Sequence, residues 1–441
     1  MTEARATVRQ ESAPVASASS AEDAAYSKVT WRLLPVLMIC YLVAYLDRVN
    51  IGFAKLQMLG DLGFSETVYG LGAGMFFIGY FFFEVPSNMI LHRVGARIWI
   101  GRIMITWGLV SGAFMFVRTP AMFYSLRFLL GIAEAGFFPG MILYLTYWYP
   151  SQRRAHMVAL FMTAIPMSGV LGGPLSGWIM KTFGGLNGWP GWQWLFLLEA
   201  LPAIVVGIGV MLYLDNGIRS AKWLTDAEKS LLERNLEHDH ALAPVHPSLG
   251  SLAADGRLWR MSLIYFACVV GSYGLTFWMP TLIQTAGVQD VLMIGVLTAI
   301  PYSVAVVTML LVGRSGDRRR ERRWHTAMPM LLGAAGLSAS TLAGTHTVAA
   351  VLCLTIAAAG IMTAAPLFWS LPTAILRGSA AAAGIAAINS VGNLGGFVSP
   401  YVIGGLKDLT HSTTPGMYAV TATLILGAFL VLRVPARMVN R

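Results

Sequence analysis

Apolar runs of about 20 residues recur from Trp31 almost to the end of the chain, each long enough to cross a hydrocarbon core of roughly 30 Å as a helix. In lipid every backbone N–H and C=O must be satisfied inside the protein, so runs of this length specify helices. They predict twelve spans, at about 31–54, 68–91, 97–117, 121–147, 155–182, 192–214, 259–284, 291–312, 325–342, 348–375, 380–406 and 417–432. Only 12% of the 441 residues are charged, against about 25% in a soluble domain, which excludes a soluble enzyme. The fold class expected is an all-α polytopic membrane protein.

The charges divide the chain and orient it. Residues 1–28 are Ala- and Ser-rich with no apolar core, which fits a disordered cytoplasmic tail and no signal peptide. The polar stretch 215–258, broken by Pro244 and Pro247, separates a six-helix bundle at 29–214 from a second at 259–441 that ends in a short tail. Twenty-five of the 31 Lys and Arg fall in the tails and even-numbered connections, and only Lys55, Arg118, Lys181 and Lys407 in the odd-numbered ones. By the positive-inside rule both termini are cytoplasmic. The formal charge of +10 therefore reflects sidedness, and no nucleic-acid partner is expected. Cys40, Cys268 and Cys353 lie singly in apolar runs, so neither a disulfide framework nor a metal site is offered. An Arg-rich turn follows span 2 (His92 to Arg102) and another follows span 8 (Gly313 to His325), the kind of correspondence an internally duplicated transporter shows.

Ionisable groups at membrane depth are costly and mark function by default. Here they are Asp47 and Arg48 in span 1, Glu84 in span 2, Arg127 and Glu134 in span 4, and Glu199 in span 6, all in the first half. Tyr41, Tyr45 and Arg48 share one helical face, and a guanidinium offers planar donors suited to a carboxylate. That face, with Tyr80, could hold an organic anion. Alternatively, Asp47 with Arg127 and Arg48 with Glu134 could form a structural network that fixes helix packing. Gly131, between Arg127 and Glu134, leaves backbone open to a ligand or to another helix. Glu84 and Glu199 fit structural roles better. The second half offers neutral groups: Tyr273, Trp278, Trp369, Ser370, and Asn389 with Asn393 on one face of span 11. No Lys follows a Gly, and HExxH and GxSxG are absent, so a Walker A loop, a zincin and a hydrolase elbow are excluded. No cofactor is expected, and transport would draw on an ion gradient.

The two-half layout, with Gly313, Asp317 and Arg318 in the turn after span 8, resembles the major facilitator superfamily. The first-half turn keeps Arg93, Gly95 and Arg97 but has His92 where the superfamily usually has Asp and Asn88 where it has Gly. Segments 45–55, 127–150, 191–203 and 388–400 resemble the anion:cation symporter family, whose members include tartrate, phthalate and hexonate permeases. The resemblance implies a central cavity lined by spans 1, 4, 7 and 10. It also implies proton sites at Asp47 and Glu134, substrate binding by Arg48, and a cytoplasmic latch involving Arg93, Arg97, Asp317 and Arg318. The candidate substrate set is Arg48, Tyr45, Tyr41, Arg127, Tyr80, Trp369, Ser370, Asn389 and Asn393. Gly169, Gly173, Pro174 and Gly177 in span 5 partly match a superfamily antiporter pattern, but small residues at that spacing also serve close helix packing. The expectation is a monomeric proton-coupled symporter of a small organic carboxylate in a bacterial inner membrane. An anion exchanger, a drug/proton antiporter or a transporter-like receptor is the alternative.

Overall fold

The computed structural model describes residues 15–241, 255–375 and 379–440, and the apolar runs form helices throughout them. The first half contains α1 (Val15–Leu62), α2 (Glu66–Val94), α3 (Ala96–Ala113), α4 (Pro120–Glu134), α5 (Phe137–Thr146), α6 (Ser151–Met162), α7 (Ala164–Phe183) and α8 (Gly191–Tyr213). After α9 (Asp226–Ala241) come α10 (Gly256–Thr285), α11 (Val291–Arg319), α12 (Arg323–Ser340), α13 (Thr347–Phe368), α14 (Ser370–Ile375), α15 (Ser379–Thr410), α16 (Thr414–Leu432) and α17 (Ala436–Val439). The twelve spans are single helices except the fourth, fifth and tenth, which are broken into α4–α5, α6–α7 and α13–α14. Among the described residues nine rods are long and apolar enough to cross a membrane. Of the other three, α6–α7, α12 and α15, the last is the richest in Gly, Ser and Asn, the composition that lets helix backbones approach closely.

One boundary differs from the sequence expectation. The tail read as disordered over 1–28 is helical from Val15 onward, while residues 1–14 lie outside the described residues. The extension is held by partners: Tyr26 is buried and stacks on Tyr149 at 5.9 Å, and Lys28 pairs with Glu228 of α9 at 3.1 Å. The backbone N–H of Thr225, with Lys28, holds the Glu228 carboxyl below its ordinary value. The polar linker contains α9, whose N-terminal acids Asp226 and Glu228 suit the helix dipole. Pro244 and Pro247 lie outside the described residues.

The halves meet along three helix pairs, α2 with α15, α7 with α11, and α1 with α10. Glycines set the approach. A Cβ on Gly70 would lie 2.2 Å from the Pro400 carbonyl, and one on Gly404 2.3 Å from that of Glu66. The span 5 glycines serve the same purpose: Gly169 faces the Tyr302 ring, Gly173 the Gly295 carbonyl and Gly177 the Val291 carbonyl. The packing reading of that motif therefore accounts for its geometry. These contacts run from mid-depth to the face opposite the termini, so the molecule is sealed on that face. Gly173→Val should force a side chain against backbone 2.6 Å away, which costs about 1–3 kcal/mol and shifts the equilibrium between closed and open arrangements roughly 5–150-fold. The expected result is faster labelling, from the face opposite the termini, of a cysteine placed at Thr276.

Candidate functional site

Between the halves, on the terminal side of the sealed layer, lies a cavity whose single charged lining residue among those described is Arg48. Arg48 sits about two-thirds of the way along α1. Its Nε donates to Glu134 Oε1 at 2.8 Å, a second guanidinium nitrogen donates to the same oxygen, and Nη1 donates to Tyr273 at 2.9 Å. The charge also lies over the rings of Tyr45, Phe76 and Tyr80 at 5.0, 5.2 and 5.7 Å. One side chain thus joins α1, α4 and, across the interface, α10.

Glu134 owes its position to a broken helix. α4 ends at this residue, Ala135 is extended, and Gly136 adopts φ +81°, where a Cβ would also strike Ser87 Oγ at 2.4 Å. Both reasons require glycine. Broken helices at membrane depth are tolerated where they line a cavity or bury their ends in protein. Gly131 does not open toward ligand: a Cβ there would be 2.0 Å from the Phe76 carbonyl, so it is a contact with α2.

The sequence-predicted set is only partly assembled here. Tyr41, Tyr45, Arg48, Tyr80, Asn389 and Asn393 line the cavity, as do Phe77, Tyr265 and Tyr273. Arg127 does not. It is 3% exposed, donates to the carbonyls of Gly72 and Ala73, and lies behind Phe76. Trp369 backs the cavity through Tyr265, with ring centroids 4.7 Å apart, and Ser370 is turned to the Leu367 carbonyl at 2.7 Å. Those two lie just beyond the cavity because α13 breaks at Trp369. Asp47, 3% exposed, accepts from Asn50 at 3.1 Å and from Ser111. The expected Arg48–Glu134 pair therefore exists, whereas Asp47 is held by Asn50 and Ser111 instead of an ion pair with Arg127. Glu199 accepts from Ser176 at 2.7 Å within the first half. Glu84 behaves differently, accepting from Asn389 across the interface at 2.9 Å.

The latch expected at Arg93, Arg97, Asp317 and Arg318 does not join the halves here. Arg93, Asp317 and Arg318 are exposed, and Arg97 donates its backbone N–H to Asn216 at the start of the linker and its Nε to the Met211 carbonyl of the first half. Charge pairs close the opposite face. Lys55, 4% exposed, pairs with Glu66 at 2.7 Å and lies 3.2 Å over the Trp278 ring; Lys407 binds Glu66, and Lys181 binds Asp290. Asp408 accepts the N–H groups of Glu66 and Thr67 at the start of α2. Trp278 thus belongs to the gate. The available signal was scarcity: three of the four basic residues in the odd-numbered connections pair with acids here. Glu66→Gln removes one acid shared by two lysines, and after discounting for partial exposure should weaken the closed gate by about 1–2 kcal/mol. Double electron–electron resonance between spin labels across that face should show a larger open fraction.

A family model described as the Major Facilitator Superfamily matches residues 37–400. A protein of Pseudomonas putida named "Putative metabolite transport protein NicT" is 51% identical over 95% of this chain and 96% of its own. One of Agrobacterium vitis named "Putative tartrate transporter" is 50% identical over 92% of this chain and 90% of its own. The inward-open xylose transporter XylE of E. coli superposes with a TM-score of 0.73 over 92% of this chain and 96% of its own, at 15% identity, a likeness of fold alone.

Proposed function

Because the chain belongs to the Major Facilitator Superfamily, and is a multi-pass membrane transporter, we propose that it imports a small organic carboxylate together with protons across a bacterial inner membrane. Both termini are then cytoplasmic, the sealed face is periplasmic, and the structure corresponds to an inward-facing state of a monomer. The observation that carries the reading is the Arg48–Glu134 pair at the cavity wall. An arginine already bound to a carboxylate side chain is a receptor for a carboxylate substrate whenever that side chain is neutralised.

In this cycle, protonation of Glu134 frees Arg48 for the substrate, and deprotonation after inward opening recaptures it. The proton competes with Arg48 for Glu134 and the anion competes with Glu134 for Arg48, so by reciprocity each strengthens the other's binding. Asp47, on the same helix but behind the cavity, is the second proposed proton site. Tartrate, aromatic acids and sugar acids are the candidate substrates, consistent with the name of the A. vitis relative. Asp317 and Arg318 would engage on the cytoplasmic side only when the protein faces outward. The test is uptake of these acids into proteoliposomes under an inward proton gradient. Uptake that tracks the gradient supports symport, and uptake that instead requires internal anion would identify an exchanger.

A further inference from the structure

Arg48 is one of two cations on the same stripe of α1. Arg48, Gly52 and Lys55 follow one another at helical spacing, and each meets α10: Arg48 donates to Tyr273, a Cβ on Gly52 would lie 3.1 Å from the Phe277 carbonyl, and Lys55 lies 3.2 Å over the Trp278 ring. Seven residues of helix set the two charges about 10 Å apart along the axis, and Gly52 puts no side chain between them. Because α1 and α10 belong to different halves, withdrawal of α10 turns this stripe into a wall of the passage from the sealed face. Lys55 then stands at the outer end of that wall and Arg48 at the inner end.

The closed gate around Lys55 is rich in donors and short of acceptors. Glu66 alone serves both Lys55 and Lys407, and the Asp408 carboxylate, whose charge acts on Lys55, is taken by the N–H groups of Glu66 and Thr67. On α10, Trp278 Nε1 and Thr281 Oγ1 belong to residues 0% and 4% exposed, and neither has a hydrogen-bond partner among the described residues. Buried donors left without acceptors are costly. Opening changes the balance further, because Trp278, Lys407 and Asp408 are carried by α10 and α15 of the second half. Lys55 keeps only Glu66, and the first N–H groups of α2 lose their carboxylate, an arrangement that favours an anion. We propose that Lys55 is an outer binding station for the transported carboxylate. In the outward-open protein the acid pairs with Lys55 and the freed start of α2, in the place that Asp408 fills in the closed gate, before it passes to Arg48. This rests on the carboxylate import proposed above and adds where the acid first binds; Glu66, otherwise a gate residue, is then the acid's competitor for Lys55.

The experiment measures the external KM for uptake of labelled tartrate, benzoate and gluconate by intact bacterial cells that express the full chain, for the wild type, Lys55→Gln and Glu66→Gln. If Lys55 only holds the gate shut, both variants loosen the same closed arrangement. The outward-open fraction then rises and the external KM falls in both, because apparent affinity scales with the competent fraction. A binding station separates the two variants. Glu66→Gln removes a competing carboxylate and should lower KM by about three- to tenfold, whereas Lys55→Gln removes the cation and should raise it about fivefold or more. Loss of folded protein lowers the maximal rate and leaves KM where it was, so the direction of KM is independent of it. A KM that falls or stays unchanged in Lys55→Gln, or that rises in both variants, would overturn the proposal and leave the transport reading standing. If wild-type cells accumulate none of the three acids beyond cells lacking the protein, the carboxylate reading falls and the outer station with it.

Discussion

Replacement of Glu134 by Gln should abolish proton-driven accumulation while leaving substrate binding and counterflow in place. The glutamine keeps the shape of the side chain at the end of α4 and can still accept from Arg48, so the break at Gly136 is undisturbed. What it loses is the ability to alternate between a charged partner that holds Arg48 and a neutral one that releases it. With Gln, the guanidinium is permanently available to an anion in both access states, and binding no longer requires a proton. One proton per substrate and a pH difference of one unit support about tenfold accumulation, because a tenfold ratio corresponds to about 1.4 kcal/mol. The variant should fall to equilibration, with no accumulation from the pH gradient. Paired uptake and counterflow measurements separate these outcomes, and full gradient-driven accumulation by Glu134→Gln would remove this residue from the coupling.

Arg48→Lys should weaken substrate binding by about 2–4 kcal/mol, roughly 30- to 1,000-fold, the range in which loss of a buried, hydrogen-bonded charge partner falls. Arg48 uses three nitrogens on two partners, two on Glu134 Oε1 and one on Tyr273. Lysine retains the charge, but its single ammonium cannot span α4 and α10 or present two parallel donors to a carboxylate. The aromatic cage of Tyr45, Phe76 and Tyr80 is shaped around a flat cation, and favours the guanidinium on the same grounds. Wild-type affinity in a titration of the lysine variant would show that the substrate is bound elsewhere.

The parts of this site that were legible in the sequence are those fixed by cost. A charge at membrane depth is conspicuous wherever it lies, so Asp47, Arg48, Glu84, Arg127, Glu134 and Glu199 could all be named before any geometry was known. Their partners could not. Asp47 and Arg127 sit on different helices, and whether they pair depends on rotations that periodicity does not encode. In the structure, the carbonyls of Gly72 and Ala73 satisfy Arg127, and Asn50 and Ser111 satisfy Asp47. Trp369 and Ser370 were placed by composition near the cavity, but the break between α13 and α14 turns them away from it. Both glycine patterns carried two readings, ligand or antiporter on one side and packing on the other, and the carbonyls facing Gly131 and Gly173 decide for packing. The gate of Lys55, Glu66, Lys407 and Asp408 went unread for a different reason: its members are ordinary charges near span ends, and only the closed arrangement brings residues some 340 positions apart into contact.

The central claim is that an acid and a proton cross together because both act on Arg48. It is tested most directly by watching the proton. Protein reconstituted into vesicles containing a pH-sensitive dye should acidify the interior when an accepted organic acid salt is added outside, with the internal potential clamped by potassium and valinomycin. The account predicts acidification that depends on the acid and disappears in Glu134→Gln, while that variant still exchanges labelled acid. Entry of the acid into wild-type vesicles with no accompanying acidification would contradict it.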